Sequence, residues 1–261
     1  MNGERRLIRT MLEAGRVQPD SVLVVHSAFR NLSRTGLRAE TVCEALLEEM
    51  VGGTILMPTM TWRTVTPANP IFSERATPSH TGALTEVFRT TFATHRSLHP
   101  THSVAGCGPA AASLLSTHHH GTTPCPGTSP YGLMRDYSAF ILLLGTGMES
   151  CTAIHHAEEV MAPDLYVQPQ EMAEAYTLID STGSSHPVWT RRHRRLPRDF
   201  GKFAQPLRES ENLAEGKFSG TPWMVLPVHA LFQTVFQTLA CSRNGTLMAG
   251  GAESPPATYS A

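Results

Sequence analysis

Five apolar residues in a row, Phe140 to Leu144, run straight into Gly145-Thr146-Gly147, and beyond them the apolar and polar positions change period. A short unbroken apolar run marks a strand covered on both faces. The two glycines permit a tight turn. From about Ser150, placed as the N-cap, the spacing becomes helical. Thr152, His155 and Glu158 then recur at i, i+3 and i+6, so they share one helix face. A hydroxyl, an imidazole and a carboxylate stand together where a strand ends and a helix begins, the usual place for a ligand in an α/β sheet.

The same patterning organises the rest of the chain. Ser21 to His26 reads as a buried strand, and a polar loop follows. Arg38 to Val51 is helical through Val42, Ala45, Leu46 and Met50, and Gly52-Gly53 ends it before a second strand, Thr54 to Met57. Strand–helix–strand is the unit that builds parallel sheet. Residues 59–78 read as irregular, Gly82 to Phe92 as a helix, and Ser103 to Gly108 as a short strand. Short helical spacing over Pro109 to Ser116 gives way to a loop from His118 to Pro130. After Met161 the pattern suits an antiparallel or mixed part, with strands at Thr177 to Ser181, Pro187 to Arg191 and Met224 to Pro227, and a last amphipathic helix from Val228 to Leu239. Residues 1–241 are expected to form one domain, and the Gly-, Pro- and Ser-rich residues 242–261 a peripheral tail.

Composition narrows the classes. The 261 residues are 41% apolar and 16% charged, with a net charge of −1. That is a globular chain whose charge balance points to neither nucleic acid nor an anionic membrane. No apolar run approaches the roughly 20 residues that span a bilayer, and the first residues read as an amphipathic helix rather than a signal peptide, so a cytoplasmic protein is expected. The five cysteines are scattered and form no C-x-x-C, which argues against a disulfide framework or a structural zinc site.

An imidazole with a carboxylate one turn away is held in one tautomer, which suits a general base near neutral pH. Thr152 is placed to donate to an oxyanion formed beside it. By itself the spacing fits a core histidine and a surface glutamate more readily than a catalytic pair. Cys151, four residues before His155, leaves a covalent Cys–His–Glu route open, against the plainer reading of a small buried thiol. His156 points about 100° away and reads as a bystander. His118-His119-His120 cannot easily aim three rings at one ion, so it reads as a solvated loop, and no metal is expected. The run Arg191-Arg192-His193-Arg194-Arg195 reads as solvated surface, or as an attractor for a phosphate group such as the 3′-phosphate of coenzyme A.

Six segments in order resemble the aminoglycoside 3-N-acetyltransferase family: Leu23 to Phe29 (L-V-V-H-S-A-F), Gly52 to Thr59, Ala76 to Arg89, Arg96 to Gly108 (R-S-L-H-P-T-H-S-V-A-G-C-G), Gly127 to Met134, and the strand–turn–helix of Phe140 to Glu158. The resemblance implies a three-layer α/β/α fold with a central mixed sheet, and transfer of an acetyl group from acetyl-CoA to an amine. His155 is then the general base, Glu158 its orienting carboxylate, and Thr152 the oxyanion donor. Ser27, Ala28 and Phe29, with Ser103, Val104 and Ala105, are carried over as the coenzyme A site. An acidic acceptor cleft draws on Glu159 and Asp164, with Glu171 a weaker candidate. A homodimer is allowed. Cys151 stands where the family often has asparagine, and the segment after Trp189 is basic where relatives often carry carboxylates. Two alternatives therefore stay open: a non-aminoglycoside biosynthetic amine as acceptor, phosphorylated or nucleotide-linked, and a Cys151-nucleophile acyltransferase or hydrolase. A ligand-binding protein that kept the fold without catalysis is a third.

Overall fold

A computed structural model describes residues 3–249. The strands are β1 (Val22–Ser27), β2 (Thr54–Pro58), β3 (Ile71–Ser73), β4 (His95–Arg96), β5 (Val104–Cys107), β6 (Ala139–Leu144), β7 (Glu174–Ile179), β8 (Ser185–Thr190), β9 (Ala214–Phe218) and β10 (Thr221–Pro227). The helices are α1 (Gly3–Ala14), α2 (Phe29–Ser33), α3 (Ala39–Glu49), α4 (Ala83–Val87), α5 (Ala111–Leu115), α6 (Pro130–Leu133), α7 (Ala153–Met161), α8 (Pro163–Tyr166), α9 (Ala204–Glu209) and α10 (Val228–Cys241).

Seven strands form the central sheet in the order β4-β5-β2-β1-β6-β10-β9. β1 runs parallel to β2 and β6, while β5 and β10 join antiparallel on either side, so the sheet is mixed. Alternation along β6 sorts its side chains between two cores. Ile141 and Leu143 join α5, α6, α7 and α10 through Leu114, Tyr131, Ile154 and Leu231. Leu142 and Leu144 face α1, α3 and α4 through Met11, Leu46 and Leu84. Period-two alternation with both sides apolar is what a sheet sandwiched between helix layers requires. The result is a three-layer α/β/α fold. A smaller sheet, β3-β7-β8, buries Phe72, Tyr176 and Leu178 with Val65.

The chain leaves β1 toward β2 on one side, and β6 lies on the other. The carboxyl ends of β1 and β6 therefore flank a switch point of the kind that opens a crevice. Gly145 closes the end of β6 with φ +75°, and a Cβ there would come within 2.9 Å of the Ala28 carbonyl. This close approach draws the β1 and β6 loops together over the site.

Several expectations need correction. Ser150 is not the helix cap: it closes a short 3₁₀ turn, Met148–Ser150, and α7 starts after Thr152. The stretch 59–78 contains β3, and β4 and β9 also lie where no strand was expected. Part of the expected tail, residues 242–249, is tied to the domain. Thr246 is fully buried, and Met248 donates its backbone N–H to the Pro197 carbonyl. The remainder of the expected tail, residues 250–261, lies outside the described residues. Among the described residues no helix is long and apolar enough to cross a membrane.

Candidate active site

α7 begins where the Gly145 turn leaves the sheet, and its first turns carry the T-x-x-H-x-x-E face. The His155 Nδ1–H donates to Glu158 Oε2 at 2.7 Å. Glu158 is fully buried, and two segments distant in sequence hold it. Arg198 Nε donates to both carboxylate oxygens at 3.0 Å, and the Thr246 hydroxyl reaches Oε1 at 2.5 Å. Burial by itself would raise Glu158, but His155, Arg198 and Thr246 outweigh it and hold the carboxyl well below its ordinary value. Burial acts oppositely on His155. It drives the imidazole down from 6.5 to about 4, with His193 and Arg198 adding to the shift and Glu158 opposing it. The pair therefore rests as a neutral imidazole against an ionised carboxylate. With Nδ1 committed to Glu158, Nε2 is the nitrogen left for the cleft, and it carries the lone pair of a base.

The cleft has a volume of about 510 Å³ and sits at the carboxyl ends of the central strands. It is lined by His26 and Ser27 at the end of β1, Pro58 at the end of β2, Met60, Trp62 and Arg63 beyond it, and His80, Thr81 and Thr85 at α4. His102, Glu149, Ser150, Thr152, His155 and Phe200 complete it. Trp62 is flanked by Arg63, whose guanidinium lies 4.9 Å from the indole, and by the His80 ring at 4.5 Å. The buried Ser27 Oγ and His26 Nε2 have no protein partner, so the β1 end offers polar atoms to a ligand. Glu149 is the one carboxylate among the described lining residues, and Gly147 N and the Thr146 hydroxyl already bind it.

The structure brings Thr152, His155, Glu158 and Ser27 to this cleft, Glu158 from behind. The other expected cofactor positions lie elsewhere or face inward. Ala28 is exposed at the start of α2, and Phe29 is buried among α1 and α3. Ser103 is fully buried and donates to the Thr59 carbonyl, while Arg96 Nε donates to its hydroxyl. Val104 and Ala105 are interior β5 residues whose backbones pair with β2 and whose side chains enter the two cores. The expected acidic residues do not face the cleft. Glu159 is buried and takes hydrogen bonds from Thr123, Cys125 N and His193, and Asp164 is exposed and paired with Arg243. Glu171 is exposed on a short 3₁₀ turn. Cys151 is fully buried in the larger core, and burial pushes its thiol up to about 12, which is the state of an inert thiol rather than a nucleophile. His156 binds the Cys125 carbonyl and packs on Phe232, the bystander expected.

Sequence reasoning missed the histidines around His155. His118 is no solvated loop residue. It is fully buried, bonded to Ser97 and the Pro124 carbonyl, and stacked on His99. The basic run is a half-buried strap in which Arg192 binds Glu174 and His193 binds Glu159. Cys125, Glu159 and His193 approach within 4.8 Å of one another. The imidazole and carboxylate there are already bonded to each other, and burial and nearby carboxylates hold the thiol protonated, so this is a hydrogen-bonded cluster. The one signal that could have revealed these residues is the number of histidines, 13, in a chain with few aromatics.

A family model described as aminoglycoside 3-N-acetyltransferase matches residues 24–240. Aminoglycoside N(3)-acetyltransferase IV of Salmonella sp is 32% identical over 168 residues, covering 63% of this chain and 61% of that protein. The match thus spans about three fifths of that curated relative's own length. The aminoglycoside acetyltransferase AAC(3)-IVa, as a mutant in complex with a gentamicin, superposes with a TM-score of 0.77 at 22% identity, covering 95% of this chain and 94% of that one. AAC-IIIb in its binary complex with CoASH gives 0.74 at 20%, covering 91% and 96%. At these identities the likeness establishes the fold.

Proposed function

The chain belongs to the aminoglycoside 3-N-acetyltransferase family, and from that premise we propose that it transfers an acetyl group from acetyl-CoA directly to an amine, with His155 as general base. The observation that carries this reading is the neutral imidazole with Nδ1 fixed on the buried Glu158 and Nε2 left to the cleft. An ammonium must lose a proton before its nitrogen can attack a thioester, and Nε2 accepts that proton. As it does, Glu158 stabilises the imidazolium, and Arg198 and Thr246 keep Glu158 in place. The amine nitrogen bonds to the thioester carbon, the Thr152 hydroxyl donates to the oxyanion, and the tetrahedral species expels the coenzyme A thiolate, which takes up a proton. Of the residues carried over for the coenzyme A site, Ser27 is the one that lines this cleft.

His155→Ala should lower turnover about 10²-fold or more while coenzyme A still binds. Thiol release measured against acetyl-CoA, with coenzyme A binding followed by calorimetry, checks both halves. An alanine variant as active as the parent removes the base from the mechanism.

One observation favours a second acceptor class. A relative bound to a polycationic aminoglycoside is named above, yet Glu149 is the one carboxylate among the described lining residues here, and Arg63 faces the same space. An amine that also bears a phosphate or a nucleotide suits that balance better than a polycation. Thiol release against a panel of aminoglycosides and phosphorylated amines separates the two.

A further inference from the structure

We propose that His193, anchored by Glu159, is a positioning residue that fixes the plane of the His155 imidazole so that Nε2 keeps its aim into the cleft. The inference rests on the acetyltransferase reading. α7 carries two consecutive carboxylates, and each holds an imidazole. Glu158 binds His155 at 2.7 Å, and Glu159 binds His193 Nε2 at 2.6 Å. The two rings stack at 4.4 Å with 30° between their planes. Phe200 meets His155 edge-on at 5.2 Å, and His102 meets His193 edge-on at 5.5 Å.

A hydrogen bond at Nδ1 fixes one in-plane direction but leaves the ring free to tilt about it. A flat partner against the ring face removes that freedom. The molecule commits much to this partner. Glu159 is a buried carboxylate with hydrogen bonds from Thr123 at 2.5 Å, Cys125 N at 2.8 Å and His193. An anion so placed is strongly destabilising unless its lone pairs are answered. Here the answers hold a histidine that lies outside the cleft lining. The arrangement secures the orientation of the base.

The titratable and charged groups that act on His155 are Glu158 from its own helix, His193 from the strap, Arg198 just beyond it and His102 from the segment before β5, and Glu149 lines the same cleft. Loss of the His193 ring admits water to the His155 face and removes a neighbour that disfavours the imidazolium. The acid limb of kcat/KM should therefore move to higher pH, because a base whose charged form is better solvated protonates sooner.

His193→Gln keeps a donor for Glu159 and removes the ring, so it spares the buried carboxylate. It should lower kcat about 10-fold, leave the KM for acetyl-CoA within about twofold, and raise the acid limb. Unchanged kcat, or a loss with no movement of the acid limb, overturns the proposal. If the variant does not fold, the unmutated protein still decides. Nitrogen-detected imidazole NMR should show His155 as the Nδ1–H tautomer, neutral to below about pH 6, with contacts from His193 ring protons. A His155 that titrates near the ordinary value of about 6.5 with averaged tautomers overturns it. Should the parent enzyme acetylate no amine in the panel, the catalytic reading fails, while the NMR result still stands or falls by itself.

Discussion

Cys151 and His155 stand four residues apart, and burial separates their chemistry. Each is pushed toward its neutral form, but a neutral imidazole keeps a lone pair that accepts a proton, whereas a neutral thiol is a poor nucleophile. Cys151→Ala should therefore change turnover by less than about threefold, roughly 1 kcal/mol or less in barrier. Intact mass after exposure to acetyl-CoA alone should show no acetyl adduct on the parent enzyme. An adduct on Cys151, or loss of activity in a folded alanine variant, would restore the covalent route. The hydrogen-bonded set around His155 was only half legible. The i, i+3, i+6 spacing gave Thr152, His155 and Glu158, because one helix supplies all three. Arg198 and Thr246, 40 and 88 residues beyond Glu158, were not legible, since nothing local ties them to it. Glu159 was misassigned for a related reason. A carboxylate reads as exposed until its partners, Thr123 and His193, are brought from other parts of the chain.

At the scale of elements, the legible parts are those whose periodicity both cores enforce. β1, β2, β6, α3 and α10 fall within a few residues of expectation because each buries a long apolar pattern. β9 (A-E-G-K-F) and the two-residue β4 escaped because an edge strand half in solvent carries no such pattern. The Gly145 turn couples the two levels, since the β6 end must take a positive φ beside the Ala28 carbonyl before α7 can present His155. Gly145→Ala places a Cβ 2.9 Å from that oxygen and 3.3 Å from Thr221. It should cost about 1–3 kcal/mol of stability in denaturant melts and lower turnover in the folded fraction as the loop shifts. A variant with parental stability would mean that the turn yields without strain. The tail from Ser242 shows the opposite failure. Its composition reads as peripheral, yet one threonine in it closes the hydrogen bonding of the buried Glu158 carboxylate.

For the whole molecule, the concentration of enclosed histidines sets how the fold responds to acid. Burial lowers His26, His118 and His155 to about 4, and lowers His99 and His102 as well. In the unfolded chain each returns to about 6.5 and takes up a proton that the folded state refuses. Folding stability from these groups is thus complete above about pH 6.5 and drains away as pH falls toward about 4. The carboxylates do not share this window. Glu158 and Glu159 are held below their ordinary values, so their contribution is lost only below about pH 4. A melt between about pH 7.5 and 5 therefore reports the histidines alone. At about pH 5, the enclosed His26, His118 and His155 should each cost on the order of 1–2 kcal/mol. Together they should drop Tm by roughly 10 °C or more. On the proposed mechanism His155 places catalysis in the same balance, because a base must be neutral to accept a proton. If His155 is the base, it should stay neutral at about pH 5 while the fold loses stability, so initial rates measured before unfolding should hold up better than the melt. Activity that falls through about pH 6.5 with an unchanged Tm would mean that His155 is as solvated as a free imidazole, and that the histidine cluster does not enclose it.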